Sequence, residues 1–174
     1  MANDGNYREL RWFCPWNKRG VVENHKLSGV LAAVTGQKFV PFGHLYLETR
    51  ETKISPESCE ELFTPNSPHI ELGLTGVEIF TNGSGSHHQL RKLHRRVDLI
   101  RGATERTGGV YLYSNMIGCD GGRLNFDGCS LISVNGDIIK QGRQVCFCVV
   151  LVEFLYCLRV LVFVGGDPCA DSCC

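Results

Sequence analysis

The spacing of apolar residues changes period several times along the chain, and each change marks an element. Residues 3–16 mix Gly, Asn, Arg, Glu and aromatics without a sustained repeat, which reads as an ordered loop dense in polar side chains, Tyr7, Arg8, Glu9 and Arg11 among them. Residues 21–35 are weakly patterned and punctuated by Gly20, Gly29 and Gly36, as expected of a surface excursion. Residues 38–50 form a strand region broken at Pro41-Phe42-Gly43, where the proline favours an edge or a strand start. Its apolar part, 39–47, leads toward Ile54-Ser55-Pro56-Glu57-Ser58-Cys59-Glu60-Glu61-Leu62-Phe63-Thr64-Pro65, which reads as a strand-to-helix turn with Cys59 at its apex.

Ser67-Pro68 supplies a helix start, and Ile70, Leu74 and Gly76 then give about two helical turns. Residues 77–81 are a short β-branched strand, followed by the loop Asn82-Gly83-Ser84-Gly85-Ser86-His87-His88. Leu90, Leu93, Val97, Ile100 and Thr104 recur at three and four residues, so 89–107 should be an amphipathic helix. Its outer face would carry Arg91, Lys92, Arg95, Arg96, Arg101 and Arg106. After Gly108-Gly109 come a strand at 110–114, a loop at 118–122, and a hairpin of 128–134 with 138–140 turning at Asn135-Gly136-Asp137. The order β-α-β-α-β-β places the chain in the α/β class, whose sites lie at the carboxyl ends of strands.

Composition narrows the function. With 18 basic and 18 acidic residues there is no net charge to steer the chain toward nucleic acid or an anionic membrane. The polar start Met1-Ala2-Asn3-Asp4-Gly5-Asn6 carries no secretory signal, so the expected location is cytoplasmic. Of ten cysteines, six lie after position 145, so the count describes the tail rather than a disulfide framework. His87, His88 and His94 lack thiol or acidic partners at ligand spacing, and no metal is expected there.

Cys59 sits among Glu57, Glu60 and Glu61. A cysteine can be a small core hydrophobe, but three carboxylates demand water or cationic partners and make simple burial awkward. A thiol at a strand end can instead be a nucleophile, with the next backbone N–H facing an oxyanion. A free thiol is only a few per cent thiolate at neutral pH, so such a site also needs a base or a cation. Lys53 and Glu57 are the nearest groups that could be imagined in those roles.

Four runs resemble the N-terminal glutaminase domain of glutamine-dependent NAD synthetases, a branch of the carbon-nitrogen hydrolase, or nitrilase, superfamily. They are Ala2-Asn3-Asp4-Gly5-Asn6-Tyr7-Arg8-Glu9-Leu10-Arg11, Cys59-Glu60-Glu61-Leu62-Phe63-Thr64-Pro65, Gly83-Ser84-Gly85-Ser86-His87-His88 and Gly118-Cys119-Asp120-Gly121-Gly122-Arg123-Leu124. The resemblance implies a partial nitrilase-type α-β-β-α sandwich over 1–144, lacking its N-terminal elements. It also implies a cysteine, lysine and glutamate triad that releases ammonia from glutamine through a thioester. Carried over, Cys59 is the nucleophile and the Glu60 amide an oxyanion donor. Ser86 would hold the amino-acid end of glutamine, Lys92 falls at a neighbouring contact position, and Tyr7 is a candidate for the pocket wall. The family's lysine would fall just before Ala2 and its glutamate further upstream; neither position is in this sequence, so the chain alone is expected to be impaired or inactive. No cofactor is implied for this domain, ATP and deamido-NAD being used by a synthetase domain. The partner would be another copy or a full-length family member, which leaves a non-catalytic interaction subunit as the alternative role.

Residues 145–164 hold eighteen apolar residues in twenty, long enough to span a bilayer, but Glu153 and Arg159 lie inside the stretch. The family would continue with polar sequence here. The apolar, Cys-rich tail at 145–174 is therefore expected to be unrelated to the family, whether as foreign reading frame, added strand or membrane anchor; the last is the least favoured.

Overall fold

The computed structural model describes residues 16–18 and 20–144. The expected loop at 3–16, Tyr7 within it, and the tail lie outside the described residues but for Trp16. Strand β1 (Glu23–Lys26), helix α1 (Gly29–Thr35) and strand β2 (Phe39–Phe42) form a unit apart from the main sheet. β1 and β2 pair antiparallel, and no residue of α1 is buried. Here the expected surface excursion has regular structure of its own. Ser28 caps α1 by accepting from Leu31 N, and Gly36 closes it at φ 71.

The rest is a sheet flanked by helices. Its elements are β3 (Leu47–Glu48), β4 (Lys53–Ser58), a 3-10 turn (Cys59–Phe63), α2 (Pro68–Leu74), β5 (Ile79–Ser84), α3 (Lys92–Thr107), β6 (Val110–Asn115), β7 (Ile117–Asp120), β8 (Leu124–Asp127), β9 (Leu131–Val134) and β10 (Asp137–Gln141). Six strands lie in the order β10-β9-β6-β5-β4-β3, with β4, β5 and β6 parallel and the outer pairings antiparallel.

Four expectations are corrected. The strand that delivers Cys59 is β4, not the 38–50 region, which yields only β2 in a separate sheet and the two residues of β3. Pro56 is tolerated in β4 because β3 pairs only with Lys53 and Ile54, so that among the described residues this edge has no partner strand from Ser55 onward. The helix begins at Lys92 rather than Gln89, because Arg91 takes a left-handed conformation (φ 64) that a continuing helix cannot contain; Leu90 is left exposed. Residues 118–122 are not a plain loop: β7 and β8 form a hairpin there. Arg96, expected on the outer face of α3, is fully buried. The β9–β10 hairpin turns at Asn135 (φ 50) and Gly136 (φ 91), as two successive left-handed residues require.

Period-two alternation puts Ser55 and Glu57 of β4, Phe80, Asn82 and Ser84 of β5, and Tyr111, Tyr113 and Asn115 of β6 on one buried face. Helices α2 and α3 cover it, contributing Leu72, Ile100 and Ala103 to a core with Leu62, Val77, Phe80, Tyr111, Tyr113 and Leu131. Along that face the side chains run from apolar to polar toward the carboxyl ends of the parallel strands. Strand register sets Glu57 beside Asn82, Asn82 beside Tyr113, and Ser84 beside Asn115.

Candidate active site

The polar end of the sheet is where the candidate residues meet. β4 stops at Ser58 and the chain turns directly into the 3-10 turn at Cys59, whose φ of 43 lies in the left-handed region. Glu61 reaches back to accept a hydrogen bond from Ser58 N at 2.8 Å, which fastens the turn to the end of the strand. The thiol is partly exposed, while Glu61 is buried.

Beneath Cys59, Glu57 is sealed in the helix-facing layer. One carboxylate oxygen accepts from His69 N at 2.7 Å and lies 2.8 Å from His69 Nδ1; the other accepts from the Tyr111 hydroxyl at 2.5 Å. Those donors include the first available N–H of α2, since Pro68 has none, so the carboxylate also satisfies a helix terminus. Burial, then the Glu57 charge, raises the Tyr111 pKa well above the ordinary tyrosine range. Asn82 Nδ2 donates to the Tyr111 hydroxyl at 3.0 Å and to the Cys59 carbonyl at 3.4 Å.

On the far side, Ser86 follows the end of β5 and is buried, held by Asn115: Ser86 N donates to Asn115 Oδ1 at 2.7 Å and Asn115 Nδ2 donates to Ser86 O at 3.1 Å. The same Asn115 amide donates to Asp127 Oδ1 (2.9 Å), which pairs with Arg96 Nη1 (2.9 Å). The guanidinium lies over the Tyr113 ring, 5.0 Å from its centroid. Four buried polar atoms in this cluster have no hydrogen-bond partner among the described residues: Ser86 Oγ, Tyr113 OH, Arg96 Nε and Asp127 Oδ2. The polar groups of Ser84 and Ser86 act on the Tyr113 hydroxyl, yet among the described residues no well-formed hydrogen bond closes on it. Burial pushes its pKa up, against the pull of Arg96.

Lys92 opens α3 and leans over the Phe63 ring, 5.8 Å from its centroid. Its pKa is lowered, first by burial and also by the Arg96 charge one turn along; Cys59, Asp127 and Glu60 act in the opposite direction. His87 is lowered by burial and then by Lys92. The structure thus brings Cys59, Glu60 and Lys92 within electrostatic reach of one another, with Ser86 just past the end of β5. Lys53 is at the opposite end of β4, donating to Thr75 O at 3.1 Å, and cannot serve Cys59. Among the described residues no three His, Cys, Asp or Glu groups gather as a metal site. Sequence reasoning missed Asn82, Tyr111, Tyr113, Asn115, Asp127 and buried Arg96. The alternation of Phe80-x-Asn82-x-Ser84 and Tyr111-x-Tyr113-x-Asn115 was the signal that could have found the strand members.

The sequence model of the carbon-nitrogen hydrolase family matches residues 2–145. The chain belongs to the carbon-nitrogen hydrolase family. Among curated carbon-nitrogen hydrolase relatives, glutamine-dependent NAD(+) synthetases from Dictyostelium discoideum, Saccharomyces cerevisiae and Mus musculus are 62%, 60% and 56% identical over 144 residues. Each match takes in 83% of this chain and 20% of the relative, so the chain spans about a fifth of their length. The solved glutamine-dependent NAD(+) synthetase of Cytophaga hutchinsonii superposes with a TM-score of 0.64 at 28% identity, covering 85% of this chain and 22% of that one. An amidase of the nitrilase superfamily from Nesterenkonia shares the fold at a TM-score of 0.51 and 18% identity, over 62% of this chain and 41% of its own. The mixed α/β architecture is that of the nitrilase superfamily. Among the described residues no helix is long and apolar enough to cross a membrane.

Proposed function

We propose that this carbon-nitrogen hydrolase segment carries the nucleophile, one oxyanion donor and part of the glutamine cradle of a glutaminase, supplying ammonia for NAD synthesis. The observation that carries the reading is the left-handed Cys59 at the carboxyl end of a parallel strand, with the half-buried Lys92 within electrostatic reach and Ser86 buried just past the end of the neighbouring β5. A thiol there is presented to solvent while its backbone is held from beneath.

In this reading the Cys59 sulfur attacks the side-chain amide carbon of glutamine, and the Glu60 N–H donates a hydrogen bond to the resulting oxyanion. Collapse breaks the C–N bond, the nitrogen leaves with a proton as ammonia, and water cleaves the thioester to glutamate. Lys92 and the Ser86 hydroxyl, which has no partner among the described residues, suit the charged amino-acid end of the substrate, with Tyr7 a further candidate on the pocket wall. The proton-transferring lysine and glutamate that the family resemblance implies fall at positions before Ala2. The domain needs no cofactor for this step; ATP and deamido-NAD would act in the synthetase reaction.

The test is alkylation by 6-diazo-5-oxo-L-norleucine, which needs the thiol and the cradle. Mass spectrometry should find one adduct on Cys59, slowed by added glutamine and by Ser86→Ala, and lost in Cys59→Ser. Labelling that falls instead on the exposed Cys119, without protection by glutamine, overturns the reading.

A further inference from the structure

Glu57 stands two residues before the proposed nucleophile, which invites reading it as the missing base. Its environment forbids that role. The side chain is fully buried, and both carboxylate oxygens are occupied, one by His69 and the other by Tyr111. It faces the helix layer, while Cys59 lies beyond the end of the strand.

What the carboxylate does control is the direction of a hydrogen-bond chain. Both of its oxygens are acceptors, so the Tyr111 hydroxyl must give its proton to Glu57 and turn a lone pair toward Asn82. Asn82 then presents Nδ2 to Tyr111, and the second N–H of that same amide points to the Cys59 carbonyl. The Ser84 hydroxyl donates to Asn82 Oδ1 at 3.2 Å and keeps the amide in this orientation. Cys59 needs such a hold: at φ 43 it occupies a region that a residue with a Cβ adopts only when its surroundings impose it. The turn is fastened ahead of Cys59 by Ser58 N on Glu61 and at Cys59 itself by Asn82.

We propose that Glu57, Tyr111 and Asn82 form a polarity-setting relay that locks the Cys59 backbone in its left-handed conformation, so that Glu57 is a positioning residue for the thiol. The inference rests on the reading of Cys59 as the nucleophile. It makes an unusual demand of position 57. Glutamine there is nearly isosteric but carries one acceptor and one donor. With its oxygen kept on His69 N, it offers N–H to Tyr111, whose proton then turns to Asn82. The Asn82 amide flips and brings Oδ1 against the Cys59 carbonyl, so the relay runs backwards and the anchor becomes a repulsion.

The experiment follows alkylation of Cys59 by 6-diazo-5-oxo-L-norleucine in the full 174-residue chain, separating the maximal rate kinact from the half-saturating concentration KI. Glu57→Gln and Tyr111→Phe should each lower kinact about tenfold with KI unchanged, the signature of a misaligned nucleophile with an intact cradle. The double variant should fall no further, because the two changes break one chain. Iodoacetamide modification of Cys119 reports the fold and should stay at the wild-type rate. Single variants that keep the wild-type kinact, or effects that multiply in the double variant, overturn the proposal.

If the wild-type chain is not alkylated at all, the glutaminase reading fails separately, and the relay is then judged by thermal unfolding. Cys59→Gly removes the left-handed strain and should raise Tm by about 3 °C, but by about 1 °C or less in the Tyr111→Phe background, where the turn has already relaxed. An equal gain in both backgrounds overturns the relay.

Discussion

Arg96 offers the most demanding check on the energetics, because the pattern of α3 puts it outside and the structure puts it at zero exposure. Arg96→Met keeps the length and much of the volume of the side chain but deletes the charge. It removes the 2.9 Å pair with Asp127, the 3.3 Å hydrogen bond from Nη2 to Gly128 O, and the contact over the Tyr113 ring. Among the described residues Asp127, itself buried, would retain only the Asn115 amide as a side-chain donor, with Oδ2 already lacking a partner there. Removing one member of a buried pair typically costs about 3–5 kcal/mol, because the surviving charge is stranded. A domain of this kind has about 5–15 kcal/mol in all, so the variant should unfold at a much lower urea concentration. Urea titration followed by far-ultraviolet circular dichroism gives the cost by linear extrapolation. Asp127→Asn relieves the stranded charge, so Arg96→Met with Asp127→Asn should cost about 2 kcal/mol less than the sum of the two single variants. A cost below about 1 kcal/mol for Arg96→Met at an unchanged slope, or strict additivity in the pair, would refute the assignment of this cluster as a charge-paired buried network.

Two further outcomes follow from local geometry. At Gly109 (φ +80) a Cβ would stand 2.1 Å from the Glu78 carbonyl oxygen, where β6 begins and Val110 N donates to that same oxygen, so nothing can yield cheaply. Gly109→Ala should cost about 2 kcal/mol or more, and a fall in Tm of less than about 2 °C would contradict it. Tyr111 and Tyr113 hold their protons in the fold to a pH above the ordinary value of about 10, whereas in the unfolded chain they lose them there. Above pH 10 the unfolded state therefore binds fewer protons and stability falls as pH rises. The urea midpoint should drop more steeply between pH 9.5 and 11 for the wild type than for Tyr111→Phe, the difference removing the opposite contribution of Lys92. Parallel profiles would count against a buried neutral Tyr111.

Elements with a clear period or punctuation were legible. Ser67-Pro68 marked α2, the three- and four-residue spacing marked the body and end of α3, and Asn135-Gly136 marked the β9–β10 turn, each through a local rule that tertiary packing did not override. β4 was hidden because its inward positions are Ser55 and Glu57 and its middle is Pro56, so neither hydrophobicity nor strand propensity announces it. Strand pairing with β5 decides it instead, and that is information from elsewhere in the chain. The β7–β8 hairpin was hidden by Gly118, Gly121 and Gly122, which read as loop until the pairing of Cys119 with Asn125 is seen. Among candidate residues, Cys59, Glu60 and Ser86 stand in the motif runs and Lys92 falls at a neighbouring position; Cys59 and Glu60 follow the end of β4, Ser86 follows the end of β5, and Lys92 opens α3. Arg96 was misplaced because a charged residue on an amphipathic helix is normally solvated, and nothing local reveals an aspartate thirty-one residues later.

The same residues that escaped the pattern carry both stability and geometry at the site. A parallel sheet presents its strand ends together, so the inward positions at those ends, Glu57, Asn82, Ser84 and Asn115, are forced into contact whatever their sequence separation. Apolar side chains there would extend the core but leave the turns after β4 and β5 held only by their own backbones. Polar ones satisfy one another and also grip the loops: Asn82 reaches the Cys59 carbonyl, and Asn115 clasps both the N–H and the C=O of Ser86. Burial makes each of these bonds costly to break, so the two loops are coupled to the unfolding of the sheet rather than to their own conformational freedom. The hydroxyls of Ser86 and Tyr113, with Arg96 Nε and Asp127 Oδ2, are the buried polar atoms of this cluster that the described residues leave without a partner.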